Sequence, residues 1–284
     1  MIKGKIQFTL IAMLVLVQSC SKFSNSEKTF EPTNKVILSS ELVWNKLNPT
    51  RGEQSPLAAT IWGDRNETEA TGFLAKFANG FSSPPHIHNV TYRAVVIKGS
   101  IHNDDPKAEN MWMKNGSFWT QSNGESHITA AKGEENIALV EISNGPYLVN
   151  PPAEAFDTGE RSINIDASNV VWIDNEVTNW LHKKSEAKIN FLIRNENSDG
   201  MKSLFVKLPI GFNGEIRTTG TVVHTVVISG VIQYLLPQNQ EQKLLDSGSY
   251  FGSTNDTYHK ITVKSEEEVI LYMRTNGKLK VNSL

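Results

Sequence analysis

Three histidines define the chemistry open to this 284-residue sequence. Gly80-Phe-Ser-Ser-Pro-Pro-His86-Ile-His88 runs into a stretch rich in β-branched residues that closes at Gly99. Glycine and proline mark a turn and the β-branched residues a strand, so a turn feeding a strand is expected. Side chains alternate along a strand, which puts His86 and His88 on one face about two rises apart. Two imidazoles so placed can hold one divalent metal ion. His127, which closes the stretch Gly116-Ser-Phe-Trp-Thr-Gln-Ser-Asn-Gly124-Glu-Ser-His127, is the third candidate ligand.

The elements that must position these residues follow from the same spacing. The two stretches resemble the paired motifs of the cupin superfamily, G-x5-H-x-H-x3-E-x6-G and G-x5-P-x-G-x2-H-x3-N. Both glycines and both histidines of the first are matched, as are both glycines and the histidine of the second. Tyr92 stands where the family has a glutamate ligand, Ser122 replaces the proline and Ala131 the asparagine. Serine also forms turns, so the change at Ser122 is mild. Tyr92 removes the carboxylate and leaves a neutral three-histidine set, similar to the site of acetylacetone-dioxygenase-like cupins. The resemblance implies an all-β fold of jelly-roll barrels with one divalent ion (Fe, Zn or Mn) on His86, His88 and His127.

Two flanking residues are candidates for catalysis. Tyr92 can donate a hydrogen bond to a substrate oxygen or simply fill the barrel, since a neutral phenol is a poor ligand. Glu125, two residues before His127, can serve as an acid or base or be a solvated turn residue. Met111, Trp112, Met113, Phe118 and Trp119 are candidates either for an apolar pocket above the metal or for plain core. His102 and His182 read as surface residues in turns.

The second half of the chain repeats the first at an offset of about 131 residues. Phe73-Leu-Ala-Lys-Phe-Ala-Asn-Gly80-Phe81 aligns with Leu204-Phe-Val-Lys-Leu-Pro-Ile-Gly211-Phe212, and His127 falls on His259. A two-unit repeat of short strands and polar turns reads as two barrels in tandem, 36–150 and 160–284, with little helix. In that alignment His86 falls on Arg217, His88 on Thr219 and Tyr92 on Val223, so the second barrel lacks a ligand set. Arg217 and His259 can instead form a second pocket, for an anion, or the second barrel can be purely structural.

Residues 1–19 read as a leader: Lys3 and Lys5 precede an apolar run, Phe8 to Val17, too short to span a bilayer. Val17-Gln-Ser-Cys20 resembles a lipoprotein box. Cys20 is the single cysteine, so it reads as a lipid anchor with no disulfide possible within the chain. Residues 20–35 then form a flexible tether. The expectation is a cell-envelope lipoprotein, held to the membrane through the lipid only.

Net charge is −2 at pH 7, and no basic cluster, phosphate loop or nucleophile elbow is present. Nucleic-acid binding is therefore not expected. The partner is a small-molecule ligand or substrate, and a homodimer stays open. The resemblance extends to two-domain bacterial cupin lipoproteins of unknown function, and two functions fit. One is a metal-dependent enzyme, a dioxygenase or hydrolase; the other is a non-catalytic module that binds or senses a metal or small ligand.

Overall fold

The computed structural model describes Met1 and residues 34–193 and 200–284. The leader, the tether up to Asn34 and Cys20 lie outside the described residues. The fold is all-β: strands joined by turns and short 3-10 segments, with every pairing between named strands antiparallel. No helix among the described residues is long and apolar enough to cross a membrane.

Two large sheets organise the molecule. One is seven-stranded, in the order 163–165, 118–121, 92–104, 128–142, 71–77, 57–62 and 45–46. The other is six-stranded, in the order 34–37, 250–253, 223–229, 269–275, 202–208 and 188–193. A five-stranded sheet (242–245, 232–235, 257–263, 213–218, 279–283) faces the six-stranded one. A two-stranded ribbon joins 87–88 to 149–150.

The central strands are near-continuous apolar runs because both of their faces are buried. In Tyr92–Asp104, residues Tyr92, Ala94 and Val96 face one core, while Val95 and Ile97 face another. In Lys202–Leu208, Leu204, Val206 and Leu208 line the core of the second half, and Phe205 points the other way. The outward residues of both halves meet in a shared cluster that includes Val95, Phe118, Leu139, Phe205, Val226 and Tyr272. Each fully buried side chain of this size contributes roughly 1.5–3 kcal/mol, so the shared face holds the halves firmly.

The chain also crosses between the halves. Asn34–Ile37 pairs with Tyr250–Ser253 of the second half, and Ile163–Ile165 returns to pair with Phe118–Thr120 of the first. An ion pair spans the same seam: Arg274 reaches the fully buried carboxylate of Glu141 at 2.7 Å. His102 departs from expectation. It is buried in Tyr92–Asp104 against Trp112, because the strand does not end at Gly99. Gly99, at φ 74°, sits where the register shifts, and the pairing resumes beyond it. His182 is exposed, as expected.

Candidate metal centre

The structure brings His86, His88 and His127 together, with one ligand nitrogen from each lying within 4.8 Å of the others. His86 and His127 face each other across two backbone hydrogen bonds of 3.1 and 3.0 Å. His88 enters from the short ribbon, where it pairs with Val149. His88 and His127 are buried, while His86 is half-buried at the cavity wall.

Backbone carbonyls hold all three rings in a ligating state. Nδ1–H donates to Pro84 O from His86 (2.9 Å), to Leu148 O from His88 (2.8 Å) and to Glu125 O from His127 (3.2 Å). A donating Nδ1 leaves the lone pair on Nε2, the arrangement that metal-bound histidines use. Burial holds the rings neutral. It depresses the pKa of His127 to about 3 and that of His88 well below 6.5, with the neighbouring histidines pushing the same way. His86 is lowered too, again mainly by burial. Neutral imidazoles gathered within 4.8 Å, each with its lone pair on Nε2, are what a divalent ion requires, so the residues fit the group.

Tyr92 faces the cluster from the strand wall. Its hydroxyl donates to Asn103 Oδ1 (2.9 Å) and lies 3.4 Å from His127 Nε2. Burial raises its pKa to about 12, so it stays a neutral phenol. A polar chain continues behind it, from Asn103 to Gln121 (2.9 Å) and from Thr129 to Asn103 (2.8 Å).

Glu125 is not brought to the cluster. Its carbonyl orients His127, but the exposed carboxylate bonds Ser162 Oγ and borders a separate surface groove. The peptide at Glu125 faces inward while its side chain points out. Of the apolar candidates only Trp119 lines the cavity. Phe118 and Met113 are core, Met111 packs against that core, and Trp112 lies under Lys132.

Tyr147 is the residue that the motif spacing misses. Its ring stacks on His88 at 4.4 Å between centroids, and its hydroxyl donates to His88 Nε2 at 3.1 Å. The one signal was an aromatic residue inside Gly145–Pro152, a stretch that otherwise reads as a domain boundary. A cavity of about 290 Å³ opens beside the cluster, walled largely by Leu47, Phe73, Phe77, Phe81 and Val140.

The proposed pocket of Arg217 and His259 does not form. In the strand register His259 pairs with Ile216 and faces the core, whereas Arg217 pairs with Tyr258 and faces outward. Arg217 is bound to Asp256 through Nε at 2.8 Å and lies over the Tyr258 ring. The repeat alignment also slips by one residue here. His86 opposite His127 corresponds to Ile216 opposite His259, so the counterpart of His88 is Thr218 rather than Thr219. The extra residue lies between Ser82 and His86, where Pro84 and Pro85 reduce the strand to isolated bridges.

The chain belongs to the family described as Domain of unknown function (DUF4437), which matches residues 35–282. No curated protein sequence matches it. Solved structures share the fold at low identity, among them three of different kinds. A "putative dioxygenase" from Nostoc punctiforme is 11% identical at a TM-score of 0.65, covering 88% of this chain and 86% of its own. Lactobacillus farciminis oxalate decarboxylase, in a formate complex, is 10% identical at 0.54, covering 89% of each chain. The 7S globulin of Momordica charantia is 10% identical at 0.55, covering 88% and 86%. At these identities the likeness shows a shared fold and nothing of the chemistry.

Proposed function

We propose that this chain is a bicupin of the cell envelope that holds one divalent ion, Fe, Zn or Mn, on His86, His88 and His127. On this reading it acts as a dioxygenase-like enzyme on a small oxygen-rich molecule. The observation that carries the reading is the trio of carbonyl-oriented, neutral imidazoles, two of which, His86 and His88, line an apolar cavity. A bound ion there supplies Lewis-acid polarisation of substrate oxygens and, as iron, redox chemistry.

The chain's own residues do the rest. His88 would give its Nε2 lone pair to the ion, and the Tyr147 hydroxyl that now donates there would be left to donate to a ligand oxygen. Tyr92 stays tied to Asn103 and keeps that wall polar and uncharged. The apolar walls exclude water from the ligand's body.

A second reading, a binding or sensing module without turnover, is favoured by one observation. Among the described residues that line the cavity there is no carboxylate to act as a general base. Elemental analysis followed by an oxygen-uptake screen on β-diketones and catechols separates the two. About one ion per chain with uptake on some substrate supports the enzyme; an ion with no uptake supports the module; no enriched ion defeats both.

Envelope anchoring through Cys20 is proposed on the sequence of the leader alone. Cys20→Ser is expected to shift the protein out of the detergent-soluble membrane fraction. Retention there after cleavage at another site overturns it.

A further inference from the structure

The cavity carries a charge pattern that narrows what can fill it. Its lining contains one permanent cation, Arg51, and no carboxylate among the described residues. Arg51 sits on the short turn Pro49–Gln54, which Asn48 caps by accepting the Thr50 N–H at 3.2 Å. Its guanidinium lies 5.7 Å from the Phe81 ring centroid, so an aromatic face steadies it at the cavity wall. No described residue pairs with it through an ion pair or a side-chain hydrogen bond. Arg51 lines the same cavity as His86 and His88, so the cation and the histidine cluster look onto one space.

On the reading above, three neutral ligands leave the full double charge of the ion uncompensated. Arg51 adds a third positive charge in surroundings that are otherwise apolar. Such a cavity selects anions strongly, because Coulomb attraction grows as water is excluded. A guanidinium offers a planar fork that matches a carboxylate. A phosphate would call for several donors, a lysine or a nest of backbone N–H groups, and no lysine lines the cavity.

We propose that the ligand is a small organic acid: an oxygen-chelating head at the three histidines, an apolar body along Phe73 and Phe77, and a carboxylate on Arg51. The inference rests on the metal reading and deepens it. The volume, about 290 Å³, is at the small end of ligand cavities, which run from about 300 to 1,000 Å³.

Two catechols that differ in one carboxylate test it: 3,4-dihydroxyphenylacetate and 4-methylcatechol, titrated calorimetrically into the zinc-loaded full chain. Metal content and unfolding midpoint are measured on every sample. The wild type is expected to bind the carboxylate probe roughly tenfold to a hundredfold tighter. Arg51→Ala should bring that ratio to about one while leaving 4-methylcatechol affinity and zinc content unchanged; Arg51→Lys should keep part of it. A ratio near one in the zinc-loaded wild type, or a preference that survives Arg51→Ala, overturns the inference alone. A wild-type chain that takes up no zinc overturns the metal reading, and the inference falls with it.

Discussion

His127 and His259 stand at equivalent places, one across the sheet from His86 and the other from Ile216. Both are buried, and burial depresses the pKa of each to about 3. They differ in what their second nitrogen meets. His127 has Nδ1 on a carbonyl and Nε2 turned toward two further imidazoles. His259 has Nδ1 on the Tyr234 hydroxyl at 2.8 Å and Nε2 on Ser253 Oγ at 3.1 Å, so neither nitrogen is left to ligate. Around it the second half is filled. Ile216 and Thr218 replace the other two histidines, and Tyr234 stacks on Phe251 at 4.7 Å where the first half has Asn103 and Trp119. A buried histidine thus reads as ligand or as core according to whether other imidazoles gather around it, as they do at His127 and do not at His259.

The largest effect that should separate the halves is on metal content. His88→Ala is expected to lower bound metal from about one ion per chain to near zero, because two imidazoles and water hold a divalent ion far more weakly. His259→Ala should leave the content unchanged. Elemental analysis of both variants checks this, and a His259 substitution that strips the metal while His88→Ala keeps it would break the comparison outright.

Stability should show the reverse order. His259→Ala leaves a void and strands Ser253 Oγ, with an expected cost of about 2–4 kcal/mol in urea unfolding. His88→Ala in the metal-free protein opens onto an existing cavity and should cost less. The pH dependence follows the same group. His259 titrates near the ordinary 6.5 when unfolded and at about 3 when folded, so the unfolded chain takes the proton first. Its contribution is complete above 6.5 and is lost as pH falls toward 3, by roughly 2 kcal/mol at pH 5. His224, similarly depressed by burial, adds a loss of the same sign. His259→Gln should flatten the slope between pH 6.5 and 5; an unchanged slope would show that the titration lies elsewhere.

Much of the site was legible because strand geometry links spacing to facing. His-x-His in a strand has one reading, and the glycine spacing located His127 without any knowledge of the fold. What failed to read were contacts made by chain return. Tyr147 reaches His88 from 59 residues away, and Arg51 reaches the same cavity from a turn before the first motif. Neither has a periodic relation to the histidines. Glu125 misled because a turn residue can point its carbonyl inward and its carboxylate out. In the second half, Ile216 and Thr218 carry no chemistry to fix the alignment, so the sequence does not show the extra residue beside Pro84 and Pro85 that turns Arg217 outward from His259. The fold itself was more legible than the site, since doubly buried strands such as Val269–Met273 declare themselves by continuous apolar runs.

The smallest expected effect sharpens the role of Tyr92, which stands at the family's glutamate position. An ionised oxygen there would be a fourth ligand, and its removal would cost most of the metal affinity. The structure argues for a neutral group: burial raises the phenol to about 12, and its proton goes to Asn103 Oδ1. Nor does Tyr92 orient a ligand, since the Nδ1 of His127 is held by the Glu125 carbonyl. Partners that do hold a ligating histidine change affinity by about 10–100-fold when lost, so Tyr92→Phe should fall below that range, within about tenfold. A chelator competition on wild type and Tyr92→Phe measures it directly. A loss of a hundredfold or more would make Tyr92 a ligand after all, and the neutral three-histidine set that separates the first half from the second would have to be redrawn with an anion in it.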